Sequence, residues 1–194
     1  VFPRGLRLWR GEFADVFERA REAQARWAQV SYKQRAEYIL KMADYIRDNA
    51  DELALLETLD MGKPITFSRQ GDMEGVVRTV QWYAEAIDKI YDELAPMGTG
   101  AVGMITREPL GVVGAVVPWN FPLLMAAWKF APALAAGNSV IMKPAEQSPL
   151  TCLRVAELAG EAGIPDGVFQ VLPGFGETAG QALGRHMDVD MIAF

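Results

Sequence analysis

The residues best able to do chemistry lie where two apolar segments of the sequence end. Asn120 follows the first segment, Val112–Val117, and stands between Trp119 and Phe121 with a proline on each outer side. Proline fixes the backbone φ angle, so we expect this amide to be held rigidly among apolar side chains. A buried amide without a partner costs about 1–3 kcal/mol. It could donate to a developing oxyanion or cap the helix that follows, and the residues leave both readings open.

A lysine and a carboxylate follow the second apolar segment. Lys143 comes directly after Ser139–Met142, and Glu146 lies three residues further along. Together they could hold the two hydroxyl groups of a ribose, because an ammonium donates hydrogen bonds and a carboxylate accepts them. The carboxylate would also repel a 2′-phosphate, which favours NAD over NADP. The alternative is a surface ion pair, which contributes about 0–1 kcal/mol to stability.

A third apolar segment, Val168–Leu172, leads through the glycines Gly174, Gly176 and Gly180 into a predicted helix, Glu177–Leu183. This is the position of a phosphate-binding turn, but the spacing is GxGxxxG, and no acidic residue follows about twenty positions later. The glycines therefore fit pyrophosphate contact, adenine contact or close packing of a helix on a strand.

The elements that must position these residues alternate between strand and helix. Val112–Val117 and Ser139–Met142 lack polar alternation, as expected of strands buried on both faces of a parallel sheet. The apolar helix between them, Leu123–Ala135, is long enough to be the crossover of a βαβ unit. The pattern predicts an α/β fold with a doubly wound parallel sheet. Ligands bind at the carboxyl ends of the strands in such sheets.

Two other kinds of segment precede the sheet. Residues 1–90 show the apolar spacing of helices, and residues 91–110 read as a β-hairpin around a glycine-containing turn. A hairpin of two strands is marginally stable in water, so it should dock on another surface, such as a second subunit. We therefore divide the chain into a helical part, 1–90, a hairpin arm, 91–110, and an incomplete, Rossmann-like sheet part, 111–194.

Local sequence signals predict where several of the helices begin and end. Leu53 and Leu59 should share the buried stripe of the third helix, which should end at Gly62. Apolar spacing predicts one helix over residues 69–90. Ser148, followed by a proline, is a typical N-cap of the helix after the second strand.

Composition excludes several classes of function. The chain has 194 residues, 51% of them apolar, and a formal charge of −6, whereas nucleic-acid binders usually carry a basic face. No apolar run approaches the roughly 18–20 residues that span a bilayer. The single cysteine excludes an internal disulfide and a cysteine-based metal cluster, and we predict no metal site. These totals predict a cytoplasmic protein, but a targeting segment could precede Val1.

Three segments in combination resemble the aldehyde dehydrogenase superfamily. They are 117–122 (VPWNFP), 142–149 (MKPAEQSP) and 174–180 (GFGETAG). Residues 61–64 (MGKP) and 190–194 (DMIAF) match the family pattern as well. The resemblance covers nearly the whole chain. The sequence resembles the NAD-preferring, non-acylating branch of the family, which includes enzymes that act on aminoaldehydes.

The resemblance implies roles for individual residues. Asn120 becomes the oxyanion donor for a thiohemiacetal, and Lys143 and Glu146 become the ribose ligands. The hairpin becomes the oligomerisation arm of a homodimer or homotetramer. Further contacts are implied near the cofactor and along the aldehyde tunnel: Val117, Trp119 and Gly174 for the cofactor, and Phe121, Leu124, Met125 and Trp128 for the tunnel.

The resemblance also implies that some catalytic groups lie beyond Phe194, because the family's nucleophilic cysteine and glutamate base have no match here. We therefore expect a fragment that is inactive alone. Cys152 reads as a small buried hydrophobe, and His186 reads as a loop or surface residue. The whole protein would oxidise aldehydes to carboxylic acids with NAD. The alternatives are a non-catalytic nucleotide-binding or oligomer-forming remnant and a CoA-acylating relative.

Overall fold

A computed structural model describes residues 10–194, with side chains from residue 15 onward. Residues 1–9 of the predicted helical part lie outside this range. The helices are α1 Arg10–Trp27, α2 Tyr32–Asp48, α3 Ala50–Met61, α4 Ile65–Phe67, α5 Glu74–Ala86, α6 Pro122–Ala135, α7 Leu150–Glu161 and α8 Gln181–Arg185. The strands are β1 Glu93–Ala95, β2 Gly103–Ile105, β3 Val112–Val116, β4 Ser139–Lys143, β5 Phe169–Val171 and β6 Met191–Ala193.

Four of the strands form one parallel sheet in the order β5-β4-β3-β6. The chain runs outward from β3 through β4 to β5 and then returns to the other side of β3. The strand order therefore reverses at β3, and a crevice forms outside the carboxyl ends at such a reversal. Asp190, directly before β6, helps to align this edge strand with β3, because its Oδ2 accepts the backbone N–H of Val112 at 2.7 Å.

Helices cover both faces of this sheet. On one face, Phe17 of α1 and Leu183 of α8 belong to a buried cluster with Ile141 of β4. On the other face, α6 and α7 bury the larger cluster, in which the rings of Phe130 and Phe169 lie 5.0 Å apart. Helices α2 and α5 pack outside α6. The predicted α/β fold with a doubly wound parallel sheet is confirmed.

Two predicted helices are interrupted by wider turns. The helix predicted over residues 69–90 consists of a π-helical segment, Ser68–Met73, then α5, then a short 3₁₀ segment, Ile87–Lys89. The wider turn brings Ser68 and Asp72 to the buried side of the chain. The helix predicted at Glu177–Leu183 likewise begins with a π-helical segment, Gly176–Gly180, which leads into α8. Apolar periodicity does not distinguish such a turn from an α-helix.

The predicted hairpin is present as the antiparallel pair β1 and β2. Leu94 and Met104 face each other in this pair, and each is 74% exposed. Within the described chain, no element covers these two apolar side chains. Whether the hairpin is a separate arm, as the domain division holds, stays a prediction.

Helix α3 buries an acidic residue on the face that we expected to carry only apolar side chains. Leu53 is buried as predicted, and Gly62 ends the helix with a left-handed φ of +76°. Leu59, however, is 69% exposed, and Glu57 is fully buried. The carboxylate of Glu57 accepts a hydrogen bond from Lys63 Nζ at 3.3 Å, and the same ammonium pairs with Asp72. These three side chains, Glu57, Lys63 and Asp72, are called the buried ion cluster below.

The buried ion cluster raises the pKa of Glu57 to about 7. Burial is the largest cause of the raised pKa, and the neighbouring carboxyl of Asp72 adds to it, while the charge of Lys63 acts in the opposite direction. The folded protein therefore keeps a proton on Glu57 over a pH range in which the unfolded chain has lost it.

Replacing Glu57 with glutamine should make the stability of the protein less dependent on pH. A carboxyl with a raised folded pKa stabilises the fold fully below its ordinary pKa of 4.5, and this contribution is lost as the pH rises through about 7. The wild type should therefore lose stability, on the order of 1–3 kcal/mol, over this window relative to Glu57→Gln. Urea unfolding of both proteins from pH 4.5 to 8 measures the difference. Parallel curves would contradict the raised pKa.

Candidate cofactor and oxyanion site

Three loops leave the sheet at the same edge, because β3, β4 and β5 are parallel neighbours. Val116 is paired with Lys143, and the N–H of Val117 then donates to the Lys143 carbonyl at 3.1 Å. The N–H of Leu172 donates to the Met142 carbonyl at 2.8 Å. The loops that follow the three strands carry Asn120, Glu146 and Gly174, so the candidate residues share the carboxyl edge of the sheet.

Lys143 is a buried ammonium that lies against a partly open carboxylate. Only 2% of Lys143 is exposed, and its Nζ donates to Glu146 Oε2 at 3.0 Å and to the Pro144 carbonyl at 2.9 Å. A Cβ on Gly180 would lie 3.7 Å from Lys143 Cδ, so the lysine stem passes directly beside the glycine turn. The side chain of Glu146 is 31% exposed. The burial of Lys143 excludes the reading of a surface ion pair.

Glu146 is held in its ionised form. The hydrogen bond from its own backbone N–H, followed by that from Lys143, lowers its pKa below the usual value. An ammonium has three N–H donors, and two of those of Lys143 have protein acceptors in the described chain. The pair can therefore offer both a donor and an acceptor to neighbouring hydroxyl groups.

The glycine turn after β5 supports the close-packing reading of Gly174. A Cβ at this position would lie 2.7 Å from the Cβ of Ala179. The N–H groups of Thr178 and Gly180 both donate to the Phe175 carbonyl at 3.2 Å. Because these two donors are already used within the turn, they do not point outward as a phosphate-binding turn requires.

Asn120 is exposed at the carboxyl edge, and the expectation of a buried amide is wrong for the described chain. Its flanking aromatic residues, Trp119 and Phe121, are only half-buried, at 54% and 41% exposure. The helix-capping alternative is also wrong, because the N-cap of α6 is Phe121, and it makes no side-chain capping bond. The Asn120 amide has no hydrogen-bond partner among the described residues, so its donors are available to a ligand.

Contacts on either side fix the loop that carries Asn120. The hydroxyl of Ser148 donates to the Trp119 carbonyl at 3.4 Å. Ser148 is not the predicted N-cap of α7, because Pro149 occupies that position. On the other side, Lys63 Nζ lies 4.2 Å from the centroid of the Phe121 ring. Sequence reasoning assigned no role to Lys63. The sequence signal that could have revealed this role is Glu57. It lies four positions after Leu53, on a helix face that is otherwise buried, where a carboxylate needs a cationic partner.

The predicted tunnel residues form one stripe on α6 and the loop before it. Leu124 and Met125 pack against the core, and Trp128 is 51% exposed. Beside Trp128 lies a cavity of about 340 Å³. Its walls also come from α5, and they are lined by Arg78, Thr79, Trp82, Tyr83 and Trp128. Sequence reasoning missed the α5 side of this cavity, because a stripe of surface residues gives no sign of the helix that faces it.

The surroundings of Cys152 and His186 give neither residue a catalytic role. Cys152 is fully buried, and burial, followed by the nearby carboxylates Glu57 and Asp60, raises the pKa of its thiol to about 12. A thiol in this state is inert as a nucleophile at neutral pH, as expected. The imidazole of His186 stacks on Phe17, with the ring centroids 3.6 Å apart, on the far side of the sheet from α6.

Within residues 10–194, no group of three or more histidine, cysteine, aspartate or glutamate side chains is arranged to hold a metal ion. None of the helices in this range combines the length and the apolar character that crossing a bilayer requires.

Two curated relatives are identical to this chain at more than half of the aligned positions. The NADP/NAD-dependent aldehyde dehydrogenase PuuC of Escherichia coli is 56% identical over 92% of this chain and 35% of its own length. The aminoacetaldehyde dehydrogenase of Pseudomonas aeruginosa is 54% identical over 87% of this chain and 34% of its own length. The chain thus spans about a third of the length of these relatives.

A solved structure agrees with the fold. An indole-3-acetaldehyde dehydrogenase in complex with NAD+ superposes with a TM-score of 0.92 and 52% identity, over 94% of this chain and 37% of that protein. The model of the aldehyde dehydrogenase family matches residues 10–194, which is the whole described range. The chain therefore belongs to the aldehyde dehydrogenase family.

Proposed function

We propose that the whole protein oxidises aldehydes to carboxylic acids, and that this chain holds the nicotinamide cofactor and stabilises the reacting oxygen. The observation that carries the proposal is the buried Lys143–Glu146 pair at the carboxyl edge, one strand away from the exposed amide of Asn120. When bound, NAD accepts a hydride from the substrate. The relatives named above, which act on aldehydes and include an NAD+ complex, support this assignment.

Lys143 and Glu146 fit a ribose. The ammonium would donate to one hydroxyl and the carboxylate would accept from the other, while Val117, Trp119 and Gly174 would border the cofactor. The lowered pKa of Glu146 keeps the carboxylate charged at neutral pH, and this charge would lie beside the hydroxyl groups of a bound ribose. This charge would repel a 2′-phosphate, so we infer a preference for NAD over NADP.

Asn120 would act on the carbonyl oxygen of the aldehyde. When a cysteine thiolate attacks the aldehyde carbon, the oxygen gains negative charge, and the side-chain N–H of Asn120 would donate to it. A donor that is oriented beforehand stabilises this charge without reorganisation during the reaction. Phe121, Leu124, Met125 and Trp128 would guide the aldehyde to this point along an apolar wall.

We infer that the substrates are small aldehydes with a polar or aromatic tail, and the names of two relatives support this inference. One relative takes its name from aminoacetaldehyde and another from indole-3-acetaldehyde. Aromatic walls at Phe121 and Trp128 would accept either type, and we propose this broad class.

The exposed Leu94–Met104 pair of the hairpin would lie in an interface between subunits of an oligomer. The cytoplasmic location stays a prediction from composition.

Replacing Asn120 with alanine should lower turnover without weakening cofactor binding. Removal of one oxyanion donor lowers kcat by about 10²–10³-fold. Steady-state kinetics of the whole protein measure kcat, and fluorescence titration measures the dissociation constant of NAD. Gln147→Ala is the matched control, because Gln147 is an exposed amide in the neighbouring loop. Wild-type turnover in Asn120→Ala would contradict the oxyanion assignment.

Changing the charged pair should alter cofactor binding and selectivity. A hydrogen bond to a charged group contributes about 1.5–3 kcal/mol, so Lys143→Met should raise the dissociation constant of NAD by about 10- to 100-fold. Glu146→Gln removes the repulsion and should raise the affinity for NADP relative to NAD. Calorimetric titration with both cofactors checks this, with Glu37→Gln as a control for an exposed glutamate on α2. An unchanged ratio in Glu146→Gln would disprove the selectivity argument.

A further inference from the structure

Lys63 occupies an unusual position for a lysine. It follows directly on Gly62, whose left-handed backbone ends α3, and a proline follows it. Its side chain is only 13% exposed. The ammonium lies 4.2 Å from the centroid of the Phe121 ring, well within the distance at which a cation is attracted to an aromatic face.

Two carboxylates fix this ammonium from the other side. Glu57 Oε1 lies 3.3 Å from Lys63 Nζ, and Asp72 pairs with the same atom. Glu57 belongs to α3, whereas Asp72 belongs to the π-helical segment before α5, so the lysine links two separate elements. Within the described chain, Glu57 Oε2 has no hydrogen-bond partner. Two buried carboxylates therefore face one ammonium, which they keep beside Phe121.

Phe121 is the residue next to Asn120. The backbone between β3 and α6 carries prolines at positions 118 and 122, which restrict the loop. Because the prolines restrict the backbone on both sides, a shift of Phe121 that moves its backbone would also move the neighbouring Asn120. The anchor on the other side, from Ser148 to the Trp119 carbonyl, is long at 3.4 Å.

We propose that Lys63 is a positioning residue, which holds Phe121 by its ammonium and thereby orients the Asn120 amide toward the reacting oxygen. The buried carboxylates Glu57 and Asp72 keep the ammonium in place. This inference rests on the proposed function of Asn120. Displacing a catalytic group by about 1 Å can cost up to about 10²-fold in rate, so a contact of this kind affects turnover without touching the substrate.

The test measures kcat and the dissociation constant of NAD in the whole protein. Lys63→Met keeps the length of the side chain and removes its charge. Loss of a partly buried cation–π contact of about 0.5–2 kcal/mol corresponds to a kcat that is lower by about 2- to 30-fold, with NAD binding unchanged. Arg69→Met is the matched control, since Arg69 pairs with Asp51 on the exposed surface of the same region. It should leave kcat unchanged.

A double-mutant cycle separates positioning from a purely structural role. If Lys63 acts through the ring, Lys63→Met should lower kcat in the wild type but have little further effect in Phe121→Leu. Lys63→Arg, which keeps the cation, should recover most of the lost turnover. Equal effects of Lys63→Met in both backgrounds, or a kcat per folded enzyme within twofold of wild type, would overturn the proposal.

Lys63→Met leaves two buried carboxylates without a cation and could prevent folding. The variant Lys63→Met/Asp72→Asn removes one of these charges, and its kcat then decides the outcome: a lowered value supports the proposal, and a wild-type value overturns it. Asn120→Ala separates the two levels of inference. If Asn120→Ala loses turnover and the Lys63 variants do not, only the positioning role fails. If Asn120→Ala is as active as wild type, the oxyanion role fails, and the positioning role fails with it.

Discussion

The parallel pairing of β3 with β4 is the constraint on which the candidate site depends. It sets Val116 beside Lys143, so the two loops that follow must leave the sheet together. A shift of one residue in this register would turn Lys143 to the opposite face of the sheet, away from Glu146 and the glycine turn. The apolar contacts of α6 on one face and of α1 and α8 on the other hold the register. Packing of the core thus determines the separation between the proposed ribose ligands and the proposed oxyanion donor.

The sequence was most informative where local pattern and global fold require the same thing. Val112–Val117, Ser139–Met142 and Leu123–Ala135 were predicted within one residue of the observed bounds, because buried parallel strands and an apolar crossover helix leave unambiguous patterns. The interrupted helices were missed, because a π-helical turn changes the hydrogen bonding without changing the apolar spacing. The exposure of Asn120 was missed for a different reason. Neighbours in sequence show which side chains surround an amide, but not whether those side chains close over it.

The buried ion cluster shows what a single sequence conceals. Each of its members reads as an ordinary surface charge, since glutamate, aspartate and lysine are rarely buried. Burial becomes acceptable only because α3 and the π-helical segment bring two carboxylates to one ammonium. That meeting depends on contacts between distant elements, so it requires the tertiary structure. Leu59 is exposed in the same arrangement, because Glu57 faces inward and a residue two positions later on a helix points to roughly the opposite side.

In the candidate site, the Lys143 ammonium is buried and paired with Glu146, whereas the Asn120 amide is exposed and has no protein partner among the described residues. The proposed chemistry explains this difference in exposure and pairing. A ribose is bound in its ground state, so its ligands can be fixed in advance, and the proposed ribose ligand Lys143 is buried and donates two hydrogen bonds within the protein. An oxyanion exists only during the reaction, so its donor must have no competing acceptor within the protein. Asn120 meets this requirement in the described chain, while its neighbours Trp119 and Phe121 are held by other groups. The backbone around Asn120 is thus restrained while its side chain is left without a protein partner, as a donor for transient charge requires.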